Sequence, residues 1–316
     1  MRMAGALILV RNPHDPARTT GGSSAGSAAA AADSQVPLSI GTQTGGSVIR
    51  PASHTGTYAM KPTFNTIAGG GIKVASIEFD TIGYFARCME DLQLISDVFS
   101  LPAKGPIKRI PPKEAREGFV KSPFCSFAGL GTIAVMEEAA EMLRKHGVAV
   151  EDVDLAYGSS DAAALTDIFK VIFVTVSGAW FCKDYLMDTT TMKLFPAVHA
   201  FVDDAPEYPR EQVRQAFEYY AALRPALDKI ATRYSALITP SAIDEAPLGI
   251  GDMGSPIFNS VWTGARMPVI QMPAFAGPNA MPIGLSLIAR TYCDQHPLSI
   301  AMVLAEPLMR EGGWEK

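Results

Sequence analysis

The sequence predicts an α/β layered fold, and three observations support this prediction. Residues 135–146 have the apolar spacing of an amphipathic helix, with Gly147 at the position typical of a helix C-terminus. This helix leads directly into the short apolar segments 148–150 and 153–155, without the turn residues of a β-hairpin. Hydrophobic residues make up 48 % of the 316 residues and charged residues 19 %, so a large buried interior is expected.

The remaining elements follow from short apolar runs and helix caps. Residues 6–10 predict a buried strand, since Arg11 ends the run before it reaches the length of a signal-peptide core. Ser27 is placed to cap an alanine helix over residues 28–32. Residues 101–121, rich in Pro and Lys, predict an exposed connection. Further helices are predicted over residues 89–99, 161–186, 210–234 (broken or kinked at Pro225) and 297–309, and strands over 37–40, 236–240, 268–272 and 283–288.

Charge and cysteine content argue against several classes of function. The 27 basic and 32 acidic residues give a net charge of −5 without any basic block, which disfavours nucleic acid or an anionic membrane as a partner. The four cysteines are scattered and form no CxxC pair, so we expect reduced thiols, a cytoplasmic location and no metal site. No apolar run predicts a membrane span.

Two runs of small residues carry the candidate chemistry. Residues 21–27 read GGSSAGS and residues 41–52 read GTQTGGSVIRPA, so that Ser23 and Ser47 lie 24 residues apart. Such runs let two backbones approach each other, or let bare N–H groups face a ligand. A serine becomes a nucleophile only when a base takes its proton, and none of the five histidines stands in a recognisable motif.

One local motif offers an alternative nucleophile. Residues 22–26 fit G-x-S-x-G, the nucleophile elbow of α/β-hydrolases, with Ser24 at the central position. That elbow requires a strand running straight into it, whereas residues 13–20 have the composition of a turn. The α/β-hydrolase interpretation therefore stays as an alternative, although the strand that it requires before the elbow is not predicted.

Residues 21–63 as a whole resemble the amidase signature family. The family's hallmark is GGSS-x-GS, a loop G-T-x-T-G-G-S, then R-x-P-A and K-P-T, and all of these occur here in order. The sequence of this core most resembles those of microbial and fungal amidases. The resemblance implies an α/β/α layered domain with a mixed central sheet covered by helices, and residues 1–316 as a single domain lacking its N-terminal portion.

The same resemblance implies a Ser–cis-Ser–Lys triad. Ser47 would be the nucleophile, and Ser23 the bridging serine, reached through a non-proline cis peptide between Ser23 and Ser24. The implied oxyanion hole consists of the backbone amides of Thr44, Gly45, Gly46 and Ser47, and the implied supporting residues are Ser24, Thr42 and Arg50. Gln43 replaces an Asp frequent in the family, and His54 stands where an apolar residue is commoner.

The lysine of the triad has no counterpart in the sequence. The family places it several tens of residues before the bridging serine, whereas only 22 residues precede Ser23 and none is lysine. Lys61 belongs to the K-P-T element, which the family uses structurally. The chain is therefore expected to be either an N-terminally truncated amidase or an inactive relative.

The resemblance implies hydrolysis of a carboxylic amide to an acid and ammonia or an amine. It implies no metal and no cofactor, and the expected partner is a small-molecule amide. A homodimer stays open. The alternatives are a catalytically inactive binding or scaffold protein and, by family analogy, the amidase subunit of a tRNA-dependent amidotransferase. The family spans aliphatic, aromatic, indole and fatty amides, and residues 173–186 and 258–261 are expected to supply parts of the pocket.

Overall fold

The structure is a computed structural model that describes residues 10–103, 110–155, 161–187 and 196–314. These residues form a mixed sheet with helices on both faces, as the sequence predicts. The strands are β1 (Leu38–Gln43), β2 (Tyr58–Lys61), β3 (Thr81–Ala86), β4 (Arg116–Lys121), β5 (Ala149–Asp154), β6 (Ala236–Pro240), β7 (Val269–Ala276) and β8 (Pro282–Ile288). The helices are α1 (Ala25–Ala32), α2 (Ile49–Thr55), α3 (Met89–Val98), α4 (Leu130–Lys145), α5 (Ala162–Met187), α6 (Pro196–Asp204), α7 (Arg210–Ala231), α8 (Ile257–Gly264) and α9 (Gln295–Glu311).

The sheet combines antiparallel and parallel pairing. Its order is β1-β3-β2-β7-β8-β6-β4-β5. The two pairs that involve β4, with β5 and with β6, are parallel, and the other pairs are antiparallel. A helix connects β4 to β5, which is the connection that a parallel pair needs.

Side chains that alternate along each strand divide the interior into two cores. On β7, for example, Val269 joins the core that includes α1, α2, α5, α7 and α8, whereas Ile270 joins the core that includes α3, α4 and α9. On β6, Leu237 and Ile238 divide in the same way. Because both faces of the sheet are covered, the strands are apolar on both sides, and the predicted α/β/α layering is confirmed.

Several boundaries differ from the sequence prediction. Helix α1 begins at Ala25 rather than after Ser27, whose hydroxyl instead donates to the carbonyl of Ile40 at 2.7 Å. Helix α7 runs through Pro225 without ending, because buried Leu223 and Leu227 hold both sides of the proline against the core. Residues 116–121, predicted to be exposed connection, form strand β4 inside the sheet. Most of the strand predicted over residues 6–10 lies outside the described residues.

Helix α5 is the one described helix whose length and composition would allow it to cross a membrane, with a mean hydropathy of 1.6 over an 18-residue window. The sequence pattern predicts no such run. Leu165, Phe169 and Ile172 of this helix are buried in the core, which is typical of a central helix in a layered domain. Farther along, Val176 and Trp180 face Phe217 of α7 across an open, almost wholly apolar groove of about 380 Å³.

Candidate active site

The loop that carries Ser47 connects the end of β1 to the start of α2. Ser47 is half-buried and is followed by Val48, which precedes the first helical residue. The side-chain oxygen Oε1 of Gln43 accepts hydrogen bonds from the amides of Val48 at 2.9 Å and Ile49 at 3.0 Å. The last residue of the strand therefore caps the helix that follows, and it fixes both ends of the loop between them.

The loop that carries Ser23 contains the unusual backbone of the site. Gly21 has φ +76°, a conformation that favours glycine, and the peptide bond between Gly22 and Ser23 is cis. The cis bond implied by the resemblance, between Ser23 and Ser24, is wrong by one residue. The cis bond precedes the half-buried Ser23, and helix α1 begins two residues after Ser23, at Ala25.

Backbone contacts bring the two serine loops together. The amide of Ser24 donates to the carbonyl of Ser47 at 3.3 Å. Arg50 of α2 donates through Nη2 to the carbonyl of Gly22 at 2.5 Å, and through Nη1 to the carbonyl of Gly254 at 2.7 Å. Within the described residues no hydrogen bond joins the hydroxyls of Ser23 and Ser47.

Ser24 is occupied by a structural contact. Its hydroxyl donates to the carbonyl of Thr42 at 3.2 Å and accepts from the amide of the same residue, also at 3.2 Å. Ser24 thus pairs with the outer edge of β1 and takes the place of a neighbouring strand. A hydroxyl held on both sides by the backbone is a poor candidate nucleophile, and Thr42 supports the loop through its backbone.

Contacts from distant parts of the chain hold the four residues Thr44–Ser47. The hydroxyl of Thr44 donates to Asp80 at 2.5 Å, and burial raises the pKa of that carboxyl. A Cβ added to Gly46 would lie 3.0 Å from Cβ of Pro256, so no larger residue fits without displacing that proline. The carbonyl of Gly45 accepts a hydrogen bond from the hydroxyl of Thr263 at 2.7 Å. Asp80 and Thr263 were not found from the sequence, since neither lies in the small-residue runs.

Two basic side chains lie behind the loops. Arg50 is 4 % exposed, and burial lowers its pKa to about 10, opposed by the charge of Asp252. His54 is also buried, and burial together with the charge of Arg50 lowers its pKa to about 3, so the ring is neutral. A Cβ added to Gly21 would lie 3.1 Å from Nδ1 of His54. His54 therefore packs beneath the Ser23 loop as a neutral ring.

No lysine of the described residues makes a hydrogen bond with either serine. The ammonium of Lys61 is fully buried and donates to the carbonyls of Pro62 at 3.0 Å and Met267 at 2.6 Å. Lys73 pairs with Asp184. This geometry agrees with a structural role for Lys61. Among the described residues, no group of three or more His, Cys, Asp and Glu side chains is arranged to hold a metal ion.

Comparison with known proteins identifies the family. The profile of the family described as Amidase matches residues 5–298, which is most of the chain. The chain belongs to the amidase family. The resemblance stated from residues 21–63 is thereby confirmed.

The chain spans only part of the length of the relatives that it matches. Against a glutamyl-tRNA(Gln) amidotransferase subunit of Treponema pallidum, the chain is 48 % identical over 90 residues, which are 28 % of this chain and 18 % of that protein. Against the corresponding protein of Symbiobacterium thermophilum it is 26 % identical over 343 residues, covering 94 % of this chain and 69 % of that protein. A solved structure from work on a vestigial protein complex and the evolutionary origins of an s-triazine catabolic enzyme is 27 % identical, with a TM-score of 0.81, and the match covers 96 % of this chain and 69 % of that one.

Proposed function

We propose that the chain is an amidohydrolase that cleaves a carboxylic amide through an acyl-enzyme on Ser47. The observation that carries the proposal is the set of four consecutive amides, Thr44 to Ser47, none of which donates a hydrogen bond within the described residues. Free N–H groups beside a serine hydroxyl form the arrangement that stabilises an oxyanion, at about 3–4 kcal/mol for each donor. Membership of the amidase family supports the same reaction.

In the proposed reaction, Oγ of Ser47 bonds to the carbonyl carbon of the amide while its proton passes to Ser23. Ser23 passes its own proton on to a base. The tetrahedral intermediate collapses, the carbon–nitrogen bond breaks, and Ser23 returns a proton to the leaving ammonia or amine. Water then attacks the acyl-enzyme, releases the acid and restores the proton on Ser47.

The resemblance implies that a neutral lysine is the base, and a lysine needs burial to lose its proton near neutral pH. Lys61 is buried but its ammonium is directed at two backbone carbonyls, and no lysine precedes Ser23. The proposal therefore predicts negligible amidase activity for residues 1–316 purified alone. Turnover at ordinary enzymatic rates that depends on Ser47 would contradict this prediction.

A fluorophosphonate probe tests the nucleophile without requiring turnover. Raising the pH to about 9 increases the small fraction of ionised serine, and an oxyanion hole alone retains about 10³- to 10⁴-fold rate enhancement over water. We expect mass spectrometry of the digested protein to find the phosphonyl group on Ser47 ahead of every other serine. The variants Ser47→Ala, Ser23→Ala and Ser24→Ala serve as a matched set: the first should abolish the label, and the third should leave it on Ser47.

Loss of the label in Ser24→Ala, or labelling at about pH 9 without preference for Ser47, would overturn the proposal. The second outcome would favour an inactive relative of the family. A further candidate is a component of a glutamyl-tRNA(Gln) amidotransferase, because the curated relatives that span most of this chain carry that name. Ammonia transfer to a glutamyl-tRNA(Gln), measured with candidate partner subunits, distinguishes this candidate from a free amidase.

A further inference from the structure

We propose that Gln43 and Thr263 act together as positioning residues that aim the Gly46 amide at the oxyanion of the substrate. The inference rests on the proposed function, because it assigns a purpose to two buried side chains behind the proposed oxyanion hole. Both side chains are buried. Their effect is exerted through the peptide group that joins Gly45 to Gly46.

Gln43 uses both ends of its side-chain amide. Its oxygen accepts from Val48 and Ile49, as described above, and its Nε2 donates to Oγ1 of Thr263 at 3.0 Å. The side chain is fully buried, so these contacts are not shared with solvent. Since the oxygen is fixed by two amide donors, the NH₂ group must face Thr263, and this sets the orientation of the amide.

Thr263 passes this orientation on to the loop. It is 1 % exposed, and its hydroxyl has a single proton to donate, while Oγ1 also accepts the bond from Gln43. Two carbonyls compete for that proton: Gly45 at 2.7 Å and Asn259, in the same helix, at 3.1 Å. The shorter distance favours the carbonyl of Gly45.

The carbonyl of Gly45 and the amide N–H of Gly46 belong to one planar peptide group. In a trans peptide these two bonds point in opposite directions, and the cis bond recorded in the described residues is elsewhere, at Gly22–Ser23. A carbonyl anchored on α8 therefore directs the Gly46 N–H away from α8. Glycine on both sides of the peptide leaves it free to rotate, so an external anchor is needed to hold one orientation.

In this chain the hydrogen-bond relay from Gln43 through Thr263 to the carbonyl of Gly45 favours glutamine over glutamate at position 43. A carboxylate could still accept from Val48 and Ile49, but it has no proton to donate. Thr263 would then turn its hydroxyl proton toward the carboxylate, and the carbonyl of Gly45 would lose its donor. The neutral side chain of Gln43 therefore matters for the direction of the hydrogen bonds as well as for charge.

The test measures the second-order rate of Ser47 labelling by the fluorophosphonate probe, together with crystal structures of the variants. Thr263→Val removes the hydroxyl with little change of shape, and Gln43→Glu removes the donor. Thr263→Ser keeps the hydroxyl. The matched control is Ser260→Ala, which removes a buried hydroxyl on the same helix whose bond runs within α8, to the carbonyl of Ile257.

We expect Thr263→Val and Gln43→Glu to slow labelling about tenfold to a hundredfold, somewhat less than the loss of a whole oxyanion donor. Thr263→Ser and Ser260→Ala should label at the wild-type rate. Relative to wild type, Gln43→Glu should recover as the pH falls, because the protonated carboxyl regains a donor. A purely structural role for Gln43 would not produce this pH profile.

Crystal structures of the variants distinguish failure of the proposed function from failure of the Gln43–Thr263 relay. If the wild-type chain does not label at Ser47 but the Gly45 carbonyl rotates in Thr263→Val, the proposed function fails and the relay stands. An unmoved Gly45–Gly46 peptide in Thr263→Val, or equal labelling rates for Thr263→Val and Ser260→Ala, would overturn the relay.

Discussion

Buried ionisable side chains have different hydrogen-bond partners in two regions of the molecule. In the serine-loop region, residues 21–63, the side chains of Arg50 and Lys61 each donate to two backbone carbonyls, and one carbonyl of each pair, that of Gly254 or Met267, belongs to a distant segment. In strand β4, Glu117 is equally buried, but neither carboxylate oxygen has a hydrogen-bond partner among the described residues. The comparison shows that burial alone does not reveal the role of a charged residue.

The consequence is visible in the pKa values. Burial lowers the pKa of Lys61 to about 7, with the charge of Asp294 acting the other way. Burial raises the pKa of Glu117 to about 8, opposed by the nearby amide of Ala236, which lies outside hydrogen-bond geometry. The side chains of Arg50 and Lys61 connect segments of backbone, whereas Glu117 is a neutral acid near pH 7 without a hydrogen-bond partner among the described residues. Three substitutions test this difference.

Replacing Arg50 should have the largest effect. Arg50→Met leaves the carbonyls of Gly22 and Gly254 without their charged donor, and two hydrogen bonds to a charged group contribute about 4 kcal/mol in total. We expect urea unfolding to show a loss of that order, together with loss of probe labelling at Ser47. The control is Arg214→Met, which removes an exposed arginine that pairs, among the described residues, with Glu211 and Glu218 of its own helix. Equal stabilities for the two variants would show that the Arg50 contacts contribute little.

The pH dependence of the unfolding free energy tests the protonation state of Lys61. Its pKa in the unfolded chain is 10.5 and in the folded protein about 7, so between these values the unfolded chain binds a proton that the folded protein does not. Raising the pH in this window therefore favours folding, by about 1.4 kcal/mol for each pH unit. From about pH 8 to about pH 9.5, wild type should gain about 2 kcal/mol relative to Lys61→Met.

Urea unfolding at the two pH values gives the measurement, and Lys145→Met, which removes an exposed lysine on α4, provides the control. Tyrosines and cysteines that titrate in the same window cancel in the difference between wild type and variant. A difference that does not change with pH would mean that Lys61 stays charged in the folded protein, as a cation fully compensated by its two carbonyls.

The same two regions show how far sequence reasoning reaches. The small-residue runs around Ser23 and Ser47 could be recognised because close backbone approach permits few residue types, and the structure does bring these runs together. The position of the cis bond could not be derived, since either peptide beside Ser23 satisfies the pattern of small residues. Asp80 and Thr263 were missed because their contacts join segments far apart in sequence.

Strand β4 was missed for the opposite reason. Its sequence, REGFVK, carries three charged residues, and the preceding segment is rich in Pro and Lys, so local composition predicts exposure. The parallel neighbours β5 and β6 nevertheless bury Gly118 to Val120 together with Glu117. Long-range pairing therefore overrides local pattern at this strand, and the uncompensated carboxyl of Glu117 is its most unexpected feature.

Glu117 should show the smallest effect and the opposite sign. Its pKa rises from 4.5 in the unfolded chain to about 8 in the folded protein, so between these values the folded protein holds a proton that the unfolded chain releases. Raising the pH here favours unfolding. From about pH 5.5 to about pH 6.5, wild type should lose about 1 kcal/mol of unfolding free energy relative to Glu117→Gln, which cannot titrate.

The control for this measurement is Glu138→Gln, because Glu138 is an exposed residue of α4 and its removal leaves the buried carboxyl in place. The sign of the change is the informative result. If the stability of wild type relative to Glu117→Gln rose with pH, Glu117 would be ionised and compensated in the folded protein. The contrast with the serine-loop region would then disappear, because Glu117, like Arg50, would be a buried charge with polar partners.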